Sequence, residues 1–208
     1  MRYRVIFFIL VILSYCLGNF YAAMGGIFVD SRMGMMAVYF PCIYLSTRLL
    51  FSRAEAYTIS RFSRKLGYYV YFWKQTGLFC VIYVSLTLLL YFLFSGLFRT
   101  LGVLPPFYQM LQFYVLTILN LFLLMNLIFF IRLKYHLPLA LTVASVLIVL
   151  SALFTVGPLA EIDVCFISMP YFVIAKHPFQ FILSYFLIFG VIVLFVLKAQ
   201  KSDFNVWA

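Results

Sequence analysis

Negative charge is almost missing from this chain. Its 208 residues hold five acids, Asp30, Glu55, Glu161, Asp163 and Asp203, against 15 Lys and Arg. None of the five falls in the middle of a long apolar run. The paired carboxylates of a glutamate-type intramembrane protease are therefore absent. Glu161 and Asp163 stand two apart, and on a helix they would point in different directions. Histidine is as scarce. His136 and His177 stand alone, without the HExxH spacing of a zinc protease. Cys16, Cys42, Cys80 and Cys165 form no CxxC pair, and three of them sit in apolar runs as small hydrophobes. No GxxxxGKS or GxxxxGKT loop is present, so the chain has no phosphate cradle of that kind. The inventory predicts no catalytic residue, no metal site and no cofactor bound by this chain.

What is present is apolar. Hydrophobic residues make up 67% and charged residues 10%, where soluble domains have about 45–50% and about 25%. This composition predicts an integral membrane protein. The apolar runs are continuous rather than alternating, which favours helices over a barrel. Six runs approach the roughly 20 residues needed per crossing. They lie at 5–24, 33–51, 77–98, 110–131, 139–156 and 179–197. The expected fold is all-α, a polytopic membrane protein with six transmembrane helices in one domain spanning 1–208. Pro41 falls inside the second run, where a membrane helix tolerates it. Polar residues within the runs include Thr117, Asn120 and Asn126. Thr117 and Asn120 share a helical face at i, i+3. They are either hydrogen-bonding glue between helices or the lining of a polar path. The abundant Tyr and Phe suggest lipid-facing bulk and interfacial belts.

The net charge of +10 follows loop placement rather than nucleic-acid binding. With the N terminus inside, Arg2, Arg4, Arg48, Arg53, Arg61, Arg64, Lys65, Lys74, Arg132, Lys134, Lys198 and Lys201 fall on the cytoplasmic side. Arg32, Arg99 and Lys176 fall outside. Twelve against three predicts both termini in the cytoplasm. A signal peptide is the competing reading of the first run, but the run is long for a cleaved segment.

Two connecting segments stand out. Residues 52–75 carry Arg53, Arg61, Arg64, Lys65 and Lys74 against Glu55. Ile59, Phe62, Leu66, Tyr69 and Trp73 recur at helical steps, while Arg61, Arg64, Lys65 and Tyr68 fall mostly elsewhere. The pattern predicts an amphipathic helix lying on the cytoplasmic membrane surface. Residues 157–178 are apolar but interrupted by Gly157, Pro158, Pro170 and Pro178. They predict a broken, re-entrant outer loop with Glu161, Asp163, Lys176 and His177 at its wet edge. Residues 132–138 read as a compact basic turn.

The layout of six spans, inside termini, a basic segment between spans two and three, and a broken outer loop between five and six resembles the permease subunit of ABC-2 type transporters. The local text adds to it. Phe51-Ser52, Glu55, Tyr57-Thr58-Ile59, Arg61-Phe62-Ser63-Arg64 and Lys74 are similar to a run found in small permeases of bacterial peptide export and bacteriocin self-protection. Only Met1–Arg4 precede the first run, so the family's N-terminal elbow helix is not expected. The resemblance implies a peptide or other amphipathic substrate moved across the bacterial plasma membrane. It implies a separate ATPase subunit, in two copies, binding ATP and Mg. A second permease chain would complete the pathway, as homodimer or heterodimer. The coupling residues it implies are Glu55, Tyr57, Arg61, Arg64, Lys65, Arg132 and Lys134. The outer gate would use Glu161, Asp163, Pro170 and Lys176, and the path Thr117 and Asn120. The rival reading is a non-transporting accessory or regulatory membrane subunit of a larger complex.

Overall fold

A computed structural model describes residues 2–25, 31–50, 65–97 and 107–154, with residues 190, 193, 194 and 197. Among the described residues the chain forms five helices and no strand. They are α1 (Arg2–Gly25), α2 (Ser31–Leu49), α3 (Lys65–Leu97), α4 (Phe107–Lys134) and α5 (Leu137–Phe154). Gly67–Leu97 is the one stretch among them long and apolar enough to cross a membrane by length and composition. Phe8–Leu17, Val38–Thr47, Thr117–Arg132 and Leu137–Val149 are shorter apolar stretches.

Side-chain pairs fix the directions of the helices. Trp73 meets Asn126 and Ser85 meets Tyr114, so numbers rise along α3 as they fall along α4. These two helices are antiparallel. Tyr15 meets Thr87 and Phe20 meets Phe94, so α1 runs parallel to α3. The link from α4 to α5 is only Tyr135 and His136, both exposed. Tyr135 N–H bonds back to Ile131 at 2.8 Å and closes α4. Pro138 follows in the first turn of α5, where its missing N–H has no intrahelical partner to lose.

Helix α2 is the hub. It touches α1, α3, α4 and α5. Val38, Tyr39, Pro41, Cys42, Ile43 and Ser46 are all buried on it. The middle of α2 is mostly apolar, and its one fully buried polar side chain, Ser46, bonds back to Ile43 C=O. Around the hub, an aromatic cluster fills the contact between the start of α3 and the end of α4. Phe72 stacks on Phe129 with ring centroids 3.9 Å apart, and Tyr68, Tyr69 and Phe130 surround them.

That cluster corrects the reading of residues 52–75. Residues 65–75 do not form a separate surface helix. They are the first turns of α3, continuous with the apolar run to Leu97. No proline interrupts Lys65–Leu97, and Gly67 and Gly77 sit within the helix. Tyr68, expected away from the apolar face, is buried beside Tyr69 and Phe72. The apolar face of this segment meets α4 rather than a flat surface. Residues 51–64, with Glu55, Tyr57, Arg61 and Arg64, lie outside the described residues.

Candidate functional site

Two features of the bundle are candidates: its basic end and its polar interior. The helix directions decide the first. Trp73 and Asn126 pair, and Lys65 and Lys134 lie equally far beyond them, so both fall at one end of the α3–α4 pair. Parallel α1 brings Arg2 and Arg4 to that end. Tyr83 on α3 contacts Val38 early in α2, and α1 and α2 are joined by a short link, so α2 runs against α3 and delivers Arg48 there too. Lys74 and Arg132 complete the group. Of eight described Lys and Arg, seven gather at this end, and Arg32 stands at the other. Lys74 is exposed, and Arg132 is half-buried. None of the five acids is among the described residues.

The second feature runs through the middle. The Tyr15 and Thr87 hydroxyls bond at 2.5 Å, and Thr87 donates its own proton to Tyr83 C=O at 3.0 Å. Tyr15 must then be the donor to Thr87, because a hydroxyl has one proton to give. The Tyr83 hydroxyl donates to Val38 C=O at 2.7 Å. This sequence of hydrogen bonds runs from α1 through α3 to α2. Its end point is meaningful. Pro41 has no N–H, so the turn before it loses a backbone bond. The carbonyl that loses its donor is that of Ala37, and the Tyr83 hydroxyl meets the next carbonyl in the same turn, that of Val38. Asn19 Nδ2 donates to Tyr15 C=O at 2.8 Å beside it.

Further along the interior, Tyr39, Thr117 and Asn120 are buried at 0%, 0% and 4% exposure, so no bulk solvent reaches their polar atoms. The Asn120 side chain stands beside the Tyr39 phenol. The two are within reach of a hydrogen bond to each other, while Thr117 Oγ1 completes none. Some other helical hydroxyls do close a bond, whereas the buried Thr76 hydroxyl does not. Those of Ser46, Thr47, Thr87 and Thr142 each close onto a carbonyl of their own helix. The structure thus adds Tyr39 to the pair Thr117 and Asn120 that the sequence singled out.

The tyrosines correct a second expectation. Tyr15, Tyr39, Tyr68, Tyr69, Tyr83 and Tyr91 are buried, not lipid-facing bulk. Composition counts Tyr as apolar and hides its hydroxyl, which is why the interior network escaped notice. Of the predicted coupling residues, Lys65, Arg132 and Lys134 lie at the basic end. The predicted gate residues Glu161, Asp163, Pro170 and Lys176 lie outside the described residues. Among the described residues no three His, Cys, Asp or Glu stand together as a metal site would require.

No family model, no curated protein and no solved structure matches the chain.

Proposed function

We propose that this chain is a polytopic membrane protein, the permease subunit of an ATP-binding-cassette exporter that moves a peptide or other amphipathic substrate. The single observation that carries the membrane reading is the inverted distribution of polarity. Val5, Ile6, Ile9, Leu10, Leu13 and Leu17 on α1, and Leu78, Ile82, Leu89 and Leu93 on α3, are exposed. Asn19, Ser46, Thr76, Thr87, Ser95, Thr117, Asn120 and Asn126 are buried. In water, exposed apolar surface of this extent is costly, at about 25 cal/mol per Å². In a bilayer the same surface meets lipid tails at no such cost, and polar groups turn inward to find one another.

The cation-bearing end then faces the cytoplasm, where basic residues accumulate and anionic lipid is found. Six crossings with both termini on that side follow from the six apolar runs. The ATPase subunit docks at this end, on residues 52–65 and on Arg132–His136. ATP-driven closure of two ATPase copies pushes the start of α3 and the α4–α5 turn. Because residues 65–75 are continuous with α3, a push there moves the whole helix rather than a loosely attached surface segment. Two permease chains, alike or related, enclose the path. ATP and Mg belong to the partner, and this chain contributes motion rather than chemistry.

Affinity purification of the tagged chain from its native membrane tests the reading. The expected result is co-purification of an ATP-binding subunit whose hydrolysis rises when both are reconstituted in lipid. A stable complex holding no ATPase would replace this reading with that of an accessory or regulatory membrane subunit.

A further inference from the structure

We propose that the cytoplasmic headgroup plane crosses the bundle at Lys74, where Arg2, Arg48 and Lys74 form a belt for anionic phospholipid, and that the end of the α3–α4 pair stands in water about 14 Å beyond it. The proposal rests on the membrane reading and not on the ATPase. It begins with levels along the helices. Thr87 lies 72 residues after Tyr15, its partner on parallel α1, and Phe94 lies 74 after Phe20. The same offsets set Arg2 level with residues 74–76 of α3. On antiparallel α2, Arg48 lies ten residues after Val38, and Trp73 lies ten before Tyr83, the partner of Val38. Arg48 is therefore level with Trp73, next to Lys74. Three helices thus place a cation at one level. Lys65 and Lys134 share a second level, nine residues of α3 further out.

The exposed surface changes character at the first of these levels. Leu78, Ile82, Leu86, Leu89, Leu93 and Leu97 are exposed along α3. The exposed Ser85 among them is hydrogen-bonded to Tyr114. From Leu78 to Leu97 the helix rises about 30 Å, the thickness of a hydrocarbon core. Lys74 and Gln75 come next, both exposed, with exposed Tyr71 and half-buried Trp73 beside them. Basic and aromatic residues together are what a membrane interface selects. Past this level α4 follows the same change. It exposes Leu111 and Val115 early, but no residue from Met125 to Arg132 is exposed. The rings of Phe72 and Phe129 stack there and fill the contact without lipid. Leu49, Val70 and Leu139 are exposed near or beyond the level, singly and on three different helices, which water tolerates.

Nitroxides on the whole chain in lipid nanodiscs test the plane. They are attached singly at Val70→Cys, Gln75→Cys and Ile82→Cys, all exposed sites of α3, in a background lacking Cys16, Cys42, Cys80 and Cys165. Dissolved oxygen relaxes a nitroxide in lipid, and a nickel chelate relaxes one in water. The expected result is a several-fold preference for oxygen at 82, a several-fold preference for nickel at 70, and a balance at 75. Oxygen preference at 70 equal to that at 82 would overturn the proposal. Nickel preference at 82 would overturn the membrane reading as well, so the two failures are distinct. A second measurement keeps the native cysteines. The thermal midpoint is compared in phosphatidylcholine nanodiscs with and without phosphatidylglycerol. The anionic lipid is expected to raise it, Lys74→Gln with Arg48→Gln to lose most of that rise, and Lys134→Gln to keep it. No rise, or an equal loss in both variants, would overturn the belt.

Discussion

Trp73 Nε1 donates a 2.7 Å hydrogen bond to Asn126 Oδ1, across the contact between α3 and α4. Asn126 in turn donates from Nδ2 to Phe122 C=O, also at 2.7 Å. The second bond holds the amide in one orientation and leaves its oxygen facing the indole. The pair sits next to the stacked rings of Phe72 and Phe129. Together with the Ser85–Tyr114 pair further along, this bond sets the register of a largely apolar contact, which dispersion alone would leave free to slide.

Removing either partner therefore destabilises the α3–α4 pair. Interhelical hydrogen bonds in apolar surroundings average about 0.6 kcal/mol and reach about 1.7. Asn126→Leu also strands the indole N–H, and an unsatisfied buried group costs about 1–3 kcal/mol. Trp73→Phe likewise strands Asn126 Oδ1, so each variant is expected to lower stability by about 1–3 kcal/mol. The double variant should lose less than the sum. Unfolding in mixed micelles of increasing denaturing detergent measures all three. Strict additivity would mean that the two side chains act independently.

Tyr83 and Pro41 should be coupled in the same way, although they lie on different helices. The Tyr83 hydroxyl bonds Val38 C=O in the turn of α2 that precedes Pro41, where Ala37 C=O has lost its donor. Tyr83→Phe is expected to cost about 0.5–1.5 kcal/mol, the net worth of one hydrogen bond. With Pro41→Ala the regained N–H serves Ala37 C=O and closes the turn, Val38 C=O turns back toward Cys42 N–H, and the hydroxyl matters less. Tyr83→Phe should then cost clearly less in the Pro41→Ala background. The same cost in both backgrounds would show that the hydroxyl does not serve the proline turn.

How much was legible before the structure depended on what kind of signal each residue gave. Apolar runs are long-range patterns, so α1, α2, α4 and α5 fall close to the runs at 5–24, 33–51, 110–131 and 139–156. The start of α3 was misplaced because Lys65 and Lys74 make residues 65–75 look like a polar connector. Charge near a helix end is compatible with burial of its other face, and Tyr68, Tyr69 and Phe72 use that freedom. Asn120 and Thr117 were visible because their side chains are polar in any scale. Tyr39 was not, since only the fold brings it beside Asn120 on another helix.

The direction of the bundle in the membrane is the next expectation. Tyr135 and His136 form the exposed link at the end carrying seven of the eight described cations. In a background lacking Cys16, Cys42, Cys80 and Cys165, Tyr135→Cys should resist an impermeant thiol reagent in intact cells. It should react once the cells are opened. A cysteine within 99–109 should react from outside in both conditions. Reaction of Tyr135→Cys in intact cells would place the basic end outside and remove the docking site proposed for the ATPase.

The final expectation concerns coupling to that ATPase. Glu55 and Arg61 precede α3, and Arg132 and Lys134 end α4. The aromatic cluster of Tyr68, Tyr69, Phe72 and Phe129 holds the start of α3 against the end of α4. A load applied to either site is thus carried by both helices. On the proposed docking surface, charged pairs contribute little to folding, about 0–1 kcal/mol each. Glu55→Ala, Arg61→Ala and Lys134→Ala should therefore insert and accumulate as the unsubstituted chain does. Each should lower the hydrolysis stimulated in the reconstituted complex, and Phe72→Ala should lower it as well by loosening α3 from α4. Phe72→Ala is also expected to cost stability, about 3–5 kcal/mol for a buried Phe, so its effect is read at a temperature where the variant remains folded. If the three charge variants keep full stimulated hydrolysis, the basic end is a lipid-facing surface and the ATPase contacts another part of the chain.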